Sequence, residues 1–286
     1  MTNPPSQRGF TLVELIMVIV LMGVIGGMVS VFMKSPIDAY FDSARRAALT
    51  DTADTVVRRM ARDIRKALPN SINTSGDGLC VEFIPTKTGG RYRAVDVIAG
   101  DGSSLVFGSP DTSFHMLGNN ASLAPDQQIR AGAGEFDVIA VTNLGFGVAD
   151  AYVGSNTAVL TGVVNGAETT LNFASKTFDI ALASPSNRFQ VIPANEKVVA
   201  FVSNPNKNIY RLVSSTLGHI CPAVVTATAP DVSTAPILAK NAACTFNYSG
   251  SDLQRNALLS TKLTVTDDQA GESITLQHAV HVNNTP

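Results

Sequence analysis

Apolar positions are distributed along this chain in two ways. From Phe10 to Met33 they are nearly continuous, and Glu14 is the one ionisable side chain in the run. Coiled as a helix at 1.5 Å per residue, this stretch extends about 36 Å, enough to cross a hydrocarbon layer of about 30 Å. Arg8 precedes it and Lys34 follows it. Pro36 removes a backbone donor and predicts a kink or interruption of the helix at that point. Beyond it the pattern becomes amphipathic. Leu49, Ala53, Val56, Met60, Ile64 and Ala67 recur on one helical face, with Asp51, Asp54, Arg58, Arg62 and Arg65 on the other. Leu68-Pro69-Asn70 ends the pattern, because the residue before a proline is pushed towards extended angles. The prediction is one kinked helix from about residue 11 to 68, roughly 85 Å long.

From residue 69 the period shortens. Runs rich in Val, Ile, Phe and Thr, each bounded by turn residues, predict strands at 79–84, 136–141, 197–202, 208–213, 258–265 and 274–282. No second helix is evident. The expected fold class is α+β, with mostly antiparallel strands covering the outer half of the long helix. Gly, Pro and small polar residues concentrate at 100–134 and 221–240, which read as long loops, either contact surfaces or tolerated insertions. No internal repeat is present.

Composition adds limits rather than a function. The chain has 286 residues and a formal net charge of −2, so no basic excess points to nucleic acid. The cluster Arg58, Arg59, Arg62, Arg65 and Lys66 reads first as a solvated helix end that complements the helix dipole. Its functional alternative is a contact with acidic groups of a neighbouring subunit or with DNA phosphates. The four histidines make no metal pattern: on a strand, His278 and His281 point to opposite faces. Asp267-Asp268 reads as a hairpin turn before it reads as a calcium ligand pair. Phosphate-loop, zinc and nucleophile-elbow motifs are absent. The sequence therefore suggests neither a catalytic site nor a cofactor. Three cysteines are an odd number. Cys221 and Cys244 flank the proline-rich loop and form the favoured candidate disulfide, leaving Cys80 over; pairings that involve Cys80 remain open at this level.

Glu14 is the residue that asks for an explanation. A carboxylate inside a membrane is costly and marks a functional site with a partner to find. A cut after Gly9 would create a new amino terminus at Phe10, four residues before Glu14. Such an α-amino group is largely cationic at neutral pH.

Gly9-Phe10-Thr11-Leu12-Val13-Glu14, followed by about twenty apolar residues, resembles the N-terminal signature of type IV prepilins and pseudopilins. The resemblance implies cleavage between Gly9 and Phe10 by a dedicated prepilin peptidase and N-methylation of Phe10. It also implies pairing of Glu14 with the amino terminus of a neighbouring subunit. The implied organisation is a leader at 1–9, a membrane and filament-core helix at 10–33, an amphipathic helix at 34–68 and a periplasmic or extracellular head at 69–286. Residues 58–72, together with Cys244-Thr245-Phe246-Asn247-Tyr248 and Leu253–Leu258, resemble large minor pilins of MSHA-type pili. That implies a tip subunit that starts or caps a filament, held in the inner membrane before assembly, with other pilins as partners. A minor pseudopilin of a type II secretion system, an adhesion or DNA-uptake minor pilin and, more remotely, a membrane-anchored enzyme are the alternative readings.

Overall fold

The computed structural model describes residues 9–184, 186–249, 256–268 and 271–285. The leader up to Arg8 and the segment Leu253–Arg255 lie outside the described residues. A single α-helix, α1, runs Leu12–Ile64. Pro36 sits within it and does not interrupt it, contrary to one of the two outcomes expected there. The helix stops four residues earlier than expected. Lys66 and Ala67 donate to Asp63 and Ile64, three residues back, so the last turn tightens, and the Leu68 N–H turns away to Ile84 at 2.7 Å.

The chain forms two compact units, residues 1–50 and 51–286. The first is helical beyond its opening residues, and Leu12–Met33 is exposed throughout, long and apolar enough to cross a membrane. The second begins with the last turns of α1. There Ala53, Val56, Met60 and Ile64 are buried as the periodicity predicts, joined by Val57 and Ala61. Leu49, at the head of the expected stripe, is only half-buried.

The rest of this unit is β structure. In chain order the strands are β1 (Asn73–Thr74), β2 (Cys80–Phe83), β3 (Thr88–Arg91), β4 (Pro110–Met116), β5 (Ala131–Gly132) and β6 (Glu135–Phe136). Then come β7 (Val138–Val141), β8 (Thr157–Val164), β9 (Thr169–Thr177), β10 (Arg188–Ile192) and β11 (Val198–Asn204). The last are β12 (Asn208–Ser214), β13 (Ile237–Lys240), β14 (Ala242–Ser249), β15 (Asn256–Thr266) and β16 (Ser273–Asn283). They build a five-stranded sheet in the order β1-β2-β11-β12-β13 and a six-stranded sheet in the order β3-β10-β7-β8-β9-β4. A three-stranded sheet β14-β15-β16 and the hairpin β5-β6 complete the unit, and all pairings are antiparallel. The expected α+β fold class is what is observed.

Strands β2, β7 and β11 are buried at every position, which is why their sequences run apolar without alternation. In β14–β16 the opposite holds. Buried and exposed residues alternate, with one face packed and the other solvated. Phe114, Phe173, Phe178 and Phe189 centre the core of the six-stranded sheet. Leu68, Ile84, Val138 and Val198 form a second cluster, which joins the helix exit to strands of both larger sheets.

Asparagine side chains hold the helix exit. Asn70 adopts a left-handed conformation with φ 57°, which its short amide side chain tolerates. Its Nδ2 donates to the Asn143 carbonyl at 2.9 Å and to the Asn284 carbonyl at 3.2 Å. Asn143 returns a bond to the Pro69 carbonyl at 2.7 Å. The C-terminal end of the chain is thereby tied to the end of the helix.

The loop and disulfide expectations are corrected. Residues 100–134 are not one loop, because β4 and β5 lie within them, and 221–240 is not loop throughout, because its last four residues form β13. The disulfide joins Cys80 to Cys221, and Cys244 is a buried free thiol. The fold explains the change: Cys80 on β2 faces the segment that leaves β12, whereas Cys244 on β14 lies opposite Leu263 in a packed sheet face. Burial pushes the Cys244 thiol up to about 12. In the native full chain at pH 8, Cys244 is expected to resist iodoacetamide and to react once denatured. Non-reducing peptide mapping is expected to return the Cys80–Cys221 link. A Cys80→Ser substitution, which opens a loop with a sequence separation of 141, should lower stability to urea by about 2–5 kcal/mol.

Candidate functional site

The residues singled out by sequence lie at the start of α1. Gly9 and Phe10 precede the helix and are exposed, with Phe10 90% accessible. Thr11 and Glu14 form a reciprocal cap. The Glu14 N–H donates to Thr11 Oγ1 at 3.3 Å, and Thr11 donates its N–H and hydroxyl to Glu14 Oε2 at 3.0 and 3.1 Å. This is the Thr-x-x-Glu capping box, which satisfies backbone donors that a helix start leaves without partners. It also orients the carboxylate. Both bonds fall on Oε2, and Oε1 accepts from no described residue. A carboxylate offers about four acceptor positions, so the cap leaves capacity for a further donor. In the uncut chain the Phe10 nitrogen is a neutral amide; cleavage after Gly9 would make it an ammonium.

The basic cluster is exposed, with Arg58, Arg59 and Arg62 on the last turns of α1 and Arg65 and Lys66 in the turn that follows. Arg58 is paired with Asp54 at 2.6 Å. Asp63 instead faces the head, where it accepts from Arg211 at 3.0 Å; Arg211 also reaches Glu196.

The second loop region, 221–240, is fixed along its first five residues by groups that sequence reading missed. Glu82 on β2 is 1% exposed, and its Oε2 accepts from the Ile220 and Cys221 N–H groups at 2.7 Å each. Its Oε1 lies 2.5 Å from His219 Nδ1, and the His219 ring stacks on Tyr152 at 4.1 Å. Asp77 accepts from the Ser75 hydroxyl at 2.5 Å, the Leu79 N–H at 3.0 Å and the Val225 N–H at 2.6 Å. Gly76 donates to the Ala223 carbonyl at 2.8 Å. With the disulfide, these contacts clamp 219–225 onto β2 and the turn that precedes it. The only signal in sequence was a glutamate within the otherwise apolar run 79–84.

His278 and His281 lie on opposite faces of β16, as expected from strand periodicity. Among the described residues, no group of three or more His, Cys, Asp or Glu side chains is arranged to hold a metal ion. Cysteines 80 and 221 do not bring a base or an acid together with a nucleophile, since both are consumed in the disulfide.

In comparisons with known proteins, the family model described as the prokaryotic N-terminal methylation motif matches residues 4–30. No curated protein and no solved structure matches the chain.

The clamp generates a pH dependence. Burial opposes ionisation of Asp77, but the bonds from Ser75, Leu79 and Val225 outweigh it and hold the carboxyl below its ordinary value of 3.8. A depressed acid stabilises the fold above its unfolded value, and that contribution disappears as pH falls through the folded value. Urea midpoints of the full chain should therefore be flat from pH 7 to about 5 and decline below about 4. An Asp77→Asn chain should be less stable at pH 7 and decline less steeply in acid. Glu82→Ala strands two backbone donors and should lower stability by about 1–3 kcal/mol for each donor left unpaired.

Proposed function

We propose that this chain, type IV pilin- or pseudopilin-like by its N-terminal methylation motif, is a minor subunit of a type IV pilus that helps to start or cap the filament at its tip. The motif implies processing by prepilin peptidase and assembly with other pilins. The apolar start of α1 fits a membrane anchor. The observation that carries the reading is the Thr11–Glu14 cap. It holds a carboxylate at the start of an exposed apolar helix with one oxygen left to accept from another group.

On this reading, the peptidase cuts between Gly9 and Phe10 and Phe10 becomes N-methylated. Its ammonium then meets the Glu14 carboxylate of an adjoining subunit, fixing the axial register of two helices. In a low-dielectric core, removal of either charge leaves the other stranded. A head of more than two hundred residues favours a tip position, because repetition of so large a body would crowd a dense helical array. The helix exit at 58–72 and the segment from Cys244 resemble the MSHA pilus biogenesis protein MshO, which supports a minor-pilin role over that of a repeating subunit. The role is structural rather than catalytic. The head resides in the periplasm before assembly and on the cell surface afterwards.

Mass spectrometry of the protein purified from its own cells is expected to find an N-terminal peptide that starts at Phe10 and carries one added methyl group. A product that retains Met1 would contradict processing. Glu14→Ala should leave the cut intact and lower recovery in sheared filaments by about tenfold or more, for a buried charge pair worth a few kcal/mol. A deletion strain without pili would support initiation. Normal pili alongside a secretion defect would instead favour a pseudopilin.

A further inference from the structure

The three-stranded sheet ends on a bare edge. Strand β16 pairs with β15 at every position from Ser273 to Asn283, with no register shift, and among the described residues no strand lies on its other side. Outward-facing N–H and C=O groups along such an edge form a template for another strand. Exposed edges are commonly blunted by lysine, proline or a bulge. Ser-Ile-Thr-Leu-Gln-His-Ala-Val-His-Val-Asn contains none of these over eleven residues. Among the described residues, no backbone bond joins 273–283 to anything except β15.

The packed face of β16 is also incompletely covered. Val280 and Val282 are buried, but Ile274, Leu276 and His278 are half exposed, although their partners Val265, Leu263 and Thr261 on β15 are buried. A groove of about 770 Å³ lies there between β16 and the last turns of α1. Val57, Ala61 and Leu276 give it an apolar lining, and Arg58, Arg62 and Arg65 give it a basic one. Arg58 and Arg62 are four residues apart on one face of α1, and Arg65, in the turn just past its end, lines the same groove. Arg58 is neutralised by Asp54, whereas Arg62 and Arg65 have no carboxylate partner among the described residues.

We propose that the β16 edge is a docking site for an extended acidic segment of another protein. The segment adds a fourth strand to the sheet, and its carboxylates meet Arg62 and Arg65. Backbone bonding supplies affinity, and the arginines select charge and direction. A second copy of this chain is disfavoured as the occupant. Edge-to-edge pairing about a two-fold axis brings the same arginine face against itself. The proposal does not depend on leader cleavage or on Glu14, so its failure would be distinct from failure of the pilus reading.

The test uses the full chain in detergent micelles and a fluorescent ten-residue peptide that alternates valine with glutamate. The acidic peptide is expected to bind, to slow amide hydrogen exchange in 273–283, and to be released by added salt. A counterpart with lysine for glutamate should bind about tenfold more weakly, and Arg62→Glu with Arg65→Glu should reverse that order. An acidic peptide N-methylated at alternate residues should fail to bind. If the double variant does not fold, the salt series and the N-methylated peptide on the unaltered chain still decide. Equal binding of both charge types, or binding that survives N-methylation, would overturn the proposal. So would protection outside 273–283, or protection of this edge by the chain itself as its concentration rises.

Discussion

A carboxylate set in an apolar helix long enough to cross a membrane constrains this protein more than any other group in it. Water is absent there to solvate the charge, so donors must come from protein. The chain supplies two, the N–H and hydroxyl of Thr11, and both go to one oxygen of Glu14. The cap thus starts the helix and presents the remaining oxygen in a fixed direction. On the proposed reading, the donor that meets it is cationic and lies at a similar depth in the membrane. A freshly exposed amino terminus at Phe10, supplied by another subunit, fits that demand. An isolated anchor would be better served by a leucine at position 14.

The head answers different requirements. Its sheets are antiparallel, and its interior strands are buried on both faces. Around the helix exit, Asn70, Asn143 and Asn284 satisfy one another's backbone groups where the chain leaves α1. Close by, a long segment rich in proline and small residues is pinned by a disulfide, a buried glutamate and an aspartate. The pinned segment is also packed, since Ile220, Val225 and Val232 join the apolar cluster around Cys80, Ala200 and Val202.

The sequence was legible where one physical pattern dominated. Uninterrupted hydropathy revealed the membrane segment, and the Ala53–Ile64 stripe revealed the helix face that packs. Apolar runs such as 197–202 revealed the interior strands. Polar, short or irregular strands escaped: β4 begins at Pro110 and β9 is rich in Thr, Asn and Ser. The disulfide escaped for a topological reason. Closeness in sequence favoured Cys221 with Cys244, but β2 lies beside β11 in the sheet, and that order brings Cys80 under the segment after β12. Glu82 read as one polar position of a strand, since nothing in a linear sequence announces that two backbone N–H groups 138 and 139 residues away converge on it. At the helix start the motif was readable in full, whereas the division of labour between the two oxygens of Glu14 arises only once the cap has folded.

The most direct measurement is zero-length cross-linking in intact filaments with a membrane-permeant carbodiimide, followed by peptide mass spectrometry. An activated Glu14 is expected to form an amide with the N-terminal residue of a different subunit, and Glu14→Gln should abolish that peptide. Recovery of Glu14 joined only to its own Phe10, or unlinked while Glu14→Gln subunits assemble as well as the unaltered chain, would contradict an intersubunit ion pair.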